Sequence, residues 1–256
     1  MLARVRNLLR KVQLTREVLK SPKVTIDSFG DEYSREIYAL FTARHPRIPL
    51  IRFKSFGVML RDLSAPTEEL LTGSRFELMR RKARKAEKLG YTLRKINTAD
   101  HVFEIMAINT STEFRQGYRV TSSYTDINQV RKYNRRSGTW FGVFDKDGIL
   151  RAYCHTPIPG DYFFYSTILG DANHLNDGIM YFMVRETIRL MHERFLRHGY
   201  PRWAMYDTYI GGTEGLREFK RRTGFQPMRV TWRWIGQEAV WTARQPVSQK
   251  GFRISG

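Results

Sequence analysis

The sequence contains very little cysteine and no long apolar run. Its 256 residues include a single cysteine, Cys154, which excludes an internal disulfide and any metal site built from several cysteines. No stretch of about 18 apolar residues occurs, so no segment is predicted to cross a bilayer. The first 20 residues lack the unbroken apolar core of a secretory signal. These absences predict a cytoplasmic protein.

Short motifs that mark several enzyme classes are also missing. The chain has no GxxxxGK[ST], HExxH, CxxC or GxSxG sequence, and such motifs supply phosphate loops, zinc sites, redox pairs and serine nucleophiles. The six histidines form no close pair at metal-ligand spacing. The sequence therefore predicts no metal site and no tightly bound cofactor.

Acidic residues are scarce relative to basic ones. Asp and Glu number 25 against 44 Lys and Arg, which gives a net charge of +19. So large an excess indicates an anionic partner, which can be a nucleic acid, an anionic membrane surface or an acidic carrier protein. The alternative is that these cations simply form a solvated surface.

The first 20 residues predict a basic amphipathic helix that ends at Ser21-Pro22. Two interpretations of this helix stay open, namely contact with the anionic inner face of a membrane and docking on the protein's own core. Its apolar residues at helical spacing are Leu2, Val5, Leu8, Leu9 and Val12.

Residues 75–89 form the most basic segment, and their periodicity predicts a helix that ends at Gly90. Phosphate contacts by Lys and Arg supply affinity for a polyanion without sequence preference. We therefore expect the cations of this helix to contact an anionic donor. The residues concerned are Arg80, Arg81, Arg84 and Lys85.

The order of predicted elements after residue 91 is strand, helix, three strands, long helix, strand, short helix and strand. A helix is expected over 98–117 and another over 177–199, and the strands at 139–145, 149–158 and 161–169 are expected to form an antiparallel meander. This pattern predicts an α+β fold, with a mixed sheet around one core.

Three regions are expected along the chain. Residues 1–63 would hold the basic helix and a reduced N-terminal subdomain, and residues 64–240 the main domain. Residues 241–256 would form a tail, and a last strand is expected at "EAVWTA", residues 238–243.

This order resembles the GNAT fold of N-acyltransferases, and three stretches sharpen the resemblance to the FemABX-like aminoacyl transferases. The most specific stretch is the third, in which a Tyr-Asp strand end is followed by "GL..FK..fG". Family members usually carry two GNAT-like lobes, whereas this chain has room for one lobe and a reduced N-terminal piece. The stretches are "ELLTGSRFELMRRKARKAEKLGYTLRKIN", "NTSTEFRQGYRVTSSY" and "MYDTYIGGTEGLREFKRRTGF".

The resemblance implies a role for Lys220 and its neighbour Phe219. Acyl transfer from an ester to an amine passes through a tetrahedral oxyanion, which a nearby cation or N–H group stabilises. By resemblance, Lys220 contacts the ester end of the donor while Phe219 keeps the site dry. The alternative is a solvent-facing lysine on a basic helix.

Further site residues are expected on the neighbouring strands. Tyr165, on the strand before the long helix, is expected to orient the acceptor amine or its water, and the alternative is a tyrosine of the core or the sheet face. Asp207 is expected either to accept the amine proton or to fix a loop. Four side chains are candidates for substrate binding beside Phe219, and two more cations extend the donor surface. These are Arg115, Tyr118, Tyr124 and Tyr209, then Arg221 and Arg222.

The donor is inferred from the junction "ILGDANHLNDGIM". A GNAT enzyme that uses coenzyme A has closely spaced glycines here, whose N–H groups hold a pyrophosphate at a helix start. Asp171 and Asp177 stand here instead, and their charges favour a carrier-bound acyl group. Aminoacyl-tRNA is the donor expected by resemblance, and acyl-CoA or acyl carrier protein is the alternative. A non-catalytic module that binds nucleic acid or a membrane is the third interpretation.

Overall fold

The computed structural model describes residues 2–46, 48–115, 118–210 and 212–236. The expected tail at 241–256, the strand at 238–243 and Gly211 lie outside these ranges. Helices and strands alternate irregularly along the described chain, which confirms the expected α+β class. No helix in the described ranges is both long and apolar enough to span a bilayer.

Nine α-helices are described, several of them joined to short 3₁₀ turns. Their bounds are α1 (Leu2–Lys20), α2 (Glu32–Thr42), α3 (Thr67–Leu71), α4 (Glu77–Lys88), α5 (Val102–Thr110), α6 (Ser122–Thr125), α7 (Ile127–Val130), α8 (Ile179–His198) and α9 (Glu214–Arg222).

Thirteen strands are described, and most of them belong to two sheets. Their bounds are β1 (Lys23–Ser28), β2 (Arg44–His45), β3 (Ile48–Arg52), β4 (Val58–Asp62), β5 (Thr92–Lys95), β6 (Phe114–Arg115), β7 (Tyr118–Arg119), β8 (Thr139–Phe144), β9 (Leu150–Thr156), β10 (Tyr162–Phe164), β11 (Thr167–Gly170), β12 (Trp203–Thr208) and β13 (Gln226–Trp234).

The larger sheet has the order β1-β13-β4-β12-β10, and the smaller has the order β11-β9-β8-β5. Strand β1 pairs in parallel with β13, and β4 pairs with both β12 and β13. The boundary predicted at residue 63 therefore falls inside one sheet, to which residues 23–62 contribute two strands.

The two sheets part within the segment that was predicted as one strand over 161–169. Its first half, β10, runs parallel to β12, and its second half, β11, runs antiparallel to β9. The predicted meander is correct for β8, β9 and β11 but wrong for β10. The change occurs at Tyr165-Ser166, where Tyr165 N donates to Met205 O (3.1 Å) and Ser166 N donates to His155 O (3.1 Å).

Helices cover both faces of the sheets. Helices α4 and α8 pack together, and their buried apolar residues, among them Ala83, Ala86, Met183 and Ile188, share one core with inward side chains of both sheets. Helix α2 contacts β1 and β13, whereas α5 contacts β9 and β11 on the smaller sheet. Burial of these amphipathic faces holds the layers together.

One predicted helix is shorter than expected. Residues 98–117 were predicted as a single helix, but α5 ends at Thr110, and β6 and β7 follow as a short hairpin. The hydroxyls of Thr110 and Ser111 donate to the carbonyls of Met106 and Ile108 (2.8 Å each). Such side-chain bonds compete with the helical ladder and favour an end at this position.

Candidate active site

Lys220 is almost completely buried on α9, with 1% of its surface exposed. Arg221 and Arg222 of the same helix are exposed, whereas the side chain of Lys220 points inward toward β12. Its Nζ donates to Thr208 O (3.0 Å) and lies 4.9 Å from the centre of the Tyr206 ring. Lys220 is therefore not the solvent-facing lysine of the alternative interpretation.

Aromatic rings cluster beside the point where β10, paired with β12, gives way to β11, paired with β9. Tyr206 lies at the centre, with ring centroids 5.3 Å from Tyr165, 5.6 Å from Phe225 and 6.2 Å from Phe219. Phe219 also packs against Tyr181 of α8, at 4.8 Å. Lys220 thus has a dry, apolar surrounding on the side of Tyr206, a residue that sequence reasoning did not single out for the site.

Tyr165 is buried and faces α8. Its hydroxyl is hydrogen-bonded to the hydroxyl of Thr187, and burial raises its pKa well above the ordinary value. Phe163 and Tyr165 share one core while Tyr162 and Phe164 share another, which confirms the predicted alternation. The Tyr206 ring contacts both Tyr165 (5.3 Å) and Lys220 Nζ (4.9 Å), so Tyr165 borders the site through Tyr206.

Asp207 has a left-handed backbone, with φ of 51°. Among the described non-glycine residues it is the one with a positive φ, a conformation that aspartate tolerates better than most residues. It sits where the pairing of β12 with β4 is irregular. Its carboxylate forms an ion pair with Lys54, whose side chain is 16% exposed. Sequence reasoning missed Lys54 because no motif links this loop residue to a strand residue 153 positions later.

Tyr209 and Arg221 lie on the side of α9 that faces α1. The Tyr209 hydroxyl donates to Glu17 Oε2 (2.6 Å), and Arg221 bonds the same carboxylate (3.1 Å) and the Tyr209 hydroxyl. Val18, a residue of α1, is fully buried. The C-terminal half of α1 therefore docks on the protein itself, in agreement with one of the two interpretations of this helix. The side chains of Leu2, Val5 and Leu8 are not among those that the structure describes.

The remaining candidates for substrate binding are in another part of the fold. Arg115 donates to Ile108 O (2.5 Å) and to Gly170 O (3.1 Å), so it ties α5 to the end of β11. Tyr118 is 76% exposed on the hairpin, and Tyr124 packs against the core under α5. Within the described residues, no hydrogen bond or ring contact joins these three side chains to the surroundings of Lys220.

The cations expected to bind the donor differ in their partners, since some form ion pairs or hydrogen bonds and others do not. Arg80 Nη1 donates to Gly73 O (2.6 Å), Lys85 pairs with Asp177 (3.4 Å) and Arg222 pairs with Glu218 (2.6 Å). Arg81 and Arg84 are exposed and form no ion pair within the described part of the chain.

Helix α4 packs directly on the start of α8. A Cβ at Gly178 would collide with the carbonyl of Lys82, and Lys85 Nζ donates to Asn176 O (2.9 Å). Asp177 accepts from the Tyr91 hydroxyl (2.8 Å), and Asp171 lies 3.5 Å from Arg151. The backbone and side chains of this junction are thus engaged with α4 and with neighbouring strands.

Burial lowers the pKa of Lys220 from its ordinary value to about 8. Below pH 8 the ammonium is charged in both folded and unfolded chains, so its burial opposes folding; above about pH 10.4 it is neutral in both. Between these values the wild type should gain roughly 3 kcal/mol of unfolding free energy relative to Lys220→Met. Urea unfolding of both proteins at several pH values measures this difference. A difference that does not change with pH would contradict the lowered pKa.

The chain has no match among protein-family models and none among curated proteins. Solved structures do resemble it. FemX superposes with a TM-score of 0.51 at 12% identity, covering 67% of this chain and 59% of FemX. L-PGS from Bacillus licheniformis gives 0.48 at 14%, covering 67% and 58%. A tandem GNAT protein from the clavulanic acid biosynthesis pathway gives 0.40 at 15%, covering 67% and 50%.

The chain therefore shares its α+β fold with FemX. The expected resemblance to FemABX-like proteins is confirmed for the fold. The chain spans less than two thirds of the length of each of these three structures.

Proposed function

We propose that this protein is an N-acyltransferase that moves an aminoacyl group from aminoacyl-tRNA to an amine. One observation carries the proposal: in a fold shared with FemX, the lysine of the Phe-Lys motif is buried against an aromatic cluster where two strands part. A buried ammonium stabilises developing negative charge far better than a solvated one.

The proposed reaction begins when the amine nitrogen attacks the ester carbonyl carbon. The carbonyl electron pair moves to oxygen, and Lys220 stabilises the oxyanion through an N–H group. An ammonium has three N–H donors; Thr208 O accepts from one, so others can serve a substrate oxygen. The intermediate collapses as the ester C–O bond breaks and the tRNA oxygen leaves. The amine nitrogen loses one proton, which water relays to the leaving tRNA oxygen, so that a hydroxyl departs.

Asp207 is proposed to fix the loop and not to take the proton. Its carboxylate is already paired with Lys54, and a carboxylate held by a lysine is a weaker base. Its left-handed backbone turns the chain so that the next carbonyl, Thr208 O, accepts from Lys220.

The junction before α8 supports a donor other than acyl-CoA. A pyrophosphate bound at this helix start would need the space and the N–H groups near Gly178, where the carbonyl of Lys82 already packs. Asp171 and Asp177 add negative charge to the same place.

A donor panel tests the proposal. The purified chain is incubated with radiolabelled aminoacyl-tRNA, acyl-CoA or acyl carrier protein and with a set of amines. We expect label to move from aminoacyl-tRNA to an amine. Consumption of acyl-CoA or of acyl carrier protein, with tRNA left intact, would assign the other donor, and no consumption above background would leave the binding-module interpretation.

We also propose that the outward face of α1 contacts an anionic membrane. Leu9, Val12 and Leu19 are exposed there, by 62%, 43% and 54%, while Arg16 and Lys20 beside them are exposed cations. Glu17, the one acidic residue of this helix, is turned inward to Tyr209. An outward face that is apolar and basic is complementary to an anionic bilayer.

Replacing Leu9, Val12 and Leu19 together by serine should lower binding to phosphatidylglycerol vesicles at least tenfold, because each leucine or valine contributes about 1–3 kcal/mol when buried. Co-sedimentation of the full chain measures this, with phosphatidylcholine vesicles as the neutral reference. The matched control replaces Leu40, Leu89 and Leu196, which are exposed by 52%, 44% and 64%. Equal vesicle binding by both triple variants, or none by the wild type, would contradict the assignment.

A further inference from the structure

A groove of about 300 Å³ lies between the start of α4 and the end of α9. Three of its lining residues are arginines, namely Arg75, Arg81 and Arg222, and one is acidic, Glu77. Arg222 is on the same helix as Lys220, two positions further along. The groove therefore begins beside the helix that carries the proposed catalytic lysine.

The arginines of this groove are incompletely neutralised. Arg222 pairs with Glu218 (2.6 Å), but Arg75 and Arg81 form no ion pair with any residue that the structure describes. The guanidinium of Arg75 lies over the Phe76 ring at 4.4 Å, which orders it without cancelling its charge. Excess positive charge in a concave place attracts an anion.

The groove on the opposite side of α9 is different. It has about 310 Å³ and is lined by residues of α1 and α9. Its three carboxylates are each paired: Glu214 with Arg10 (2.6 Å), Glu17 with Arg221 (3.1 Å) and Glu218 with Arg222. Arg221 and Arg222, which were expected to form one surface, both line this groove, and Arg222 also lines the groove beside α4. Arg217 donates to Gly212 O and forms no ion pair within the described part of the chain. This groove therefore carries three carboxylates, whereas the groove beside α4 carries one.

We infer that the groove between α4 and α9 binds phosphodiester groups of the single-stranded 3′ end of an RNA, and this inference rests on the proposed donor. Arginine forms paired hydrogen bonds with phosphate and stacks on planar groups, which suits it to RNA. An RNA strand carries one phosphate at every nucleotide, so neighbouring arginines along one groove can each contact a phosphate.

The test uses the full chain and a fluorescent tRNA acceptor-stem minihelix with a single-stranded 3′ end. Binding is followed by anisotropy over a salt series for the wild type and for Arg75→Gln with Arg81→Gln. The matched control, Lys95→Gln with Lys132→Gln, removes the same charge from exposed residues that do not line the groove.

Each lost single-strand phosphate contact reduces the salt slope by about 0.7. Two lost contacts should therefore weaken binding about 25-fold at about 0.1 M salt and reduce the slope by about 1.4. The control should lose less than about threefold. Equal losses of affinity in both double variants would show that only the overall positive charge of the protein attracts the minihelix, and would overturn the groove assignment. Binding of acyl carrier protein through these arginines, without binding of the minihelix, would also overturn it.

Acyl transfer measured in parallel separates the two proposals. If the wild type transfers aminoacyl groups but Arg75 and Arg81 do not affect RNA binding, the groove assignment fails and the transferase proposal stands. If minihelix binding depends on the groove but no aminoacyl group is transferred, the groove stands and the transferase proposal fails.

Discussion

Replacing Lys220 by methionine is expected to lower the rate of acyl transfer about 10²–10³-fold, because removal of one donor to an oxyanion typically costs about 3 kcal/mol of transition-state stabilisation. Methionine keeps an unbranched side chain in the aromatic surrounding of Tyr206 and Phe219. Because the ammonium acts on the oxyanion and not on ground-state binding, the loss should appear in kcat more than in KM.

Single-turnover measurements with radiolabelled aminoacyl-tRNA check this expectation once an acceptor is found. Lys95→Met is the control, since Lys95 is an exposed lysine of β5 outside the site. Urea unfolding of the Lys220 variant shows whether it is folded. A folded Lys220→Met protein that keeps full turnover would end the role assigned to this residue.

Replacing Arg61 by alanine is expected to lower the unfolding free energy by about 3–5 kcal/mol. Arg61 is 2% exposed on β4, and it donates to Thr223 O (2.7 Å) and to Leu70 O. These carbonyls lie at the ends of α9 and α3, where the helix dipoles favour a cation. Alanine would leave both carbonyls without this partner and open a cavity beside Phe76.

Arg75→Ala supplies a matched control for this stability change. Both guanidinium groups lie over the Phe76 ring, at 4.7 Å for Arg61 and 4.4 Å for Arg75, but Arg75 is exposed. Chemical denaturation should show a loss below about 1 kcal/mol for Arg75→Ala. Similar losses for the two variants would mean that stacking, and not the helix-end carbonyls, accounts for the effect of Arg61.

Burial also lowers the pKa of Arg61 to about 10, and the nearby charge of Arg75 contributes. The guanidinium still stays charged at neutral pH. The positive charge that holds the end of α9 is therefore permanent under ordinary conditions, unlike that of Lys220.

The parts of the fold that could be predicted are those with strong local patterns. Helices α4 and α8 were expected to within about two residues, because their apolar stripes and terminal glycines are visible in the sequence. The division of the segment 161–169 into β10 and β11 could not be predicted, because both halves are apolar. The division depends on the strands with which they pair, which are β12 for β10 and β9 for β11. The end of α5 was missed because the residues that follow it continue a helical pattern in the sequence. The hydroxyls of Thr110 and Ser111 donate to backbone carbonyls of the preceding turn, which the pattern does not reveal.

The candidate site was predictable only where a motif marked it. Lys220 and Phe219 stood out by their resemblance to the FemABX-like pattern, and Asp207 followed from the preceding strand. Lys54 and Glu17 reach the surroundings of α9 from loops and helices distant in sequence. No periodicity signals such contacts, since they depend on how the N-terminal residues fold back on the main sheet.

The parallel pairing of β1 with β13 has a consequence for the order of folding. Strand β4 lies between β13 and β12 in the sheet, so its partners on both sides come from residues beyond 200. During synthesis, residues 23–62 are made long before any of these neighbours exists. The sheet can close only after β13 has been made, and closing such long loops slows folding. Until then, the unpaired edges of β1 and β4 are the surfaces that a chaperone would have to shield.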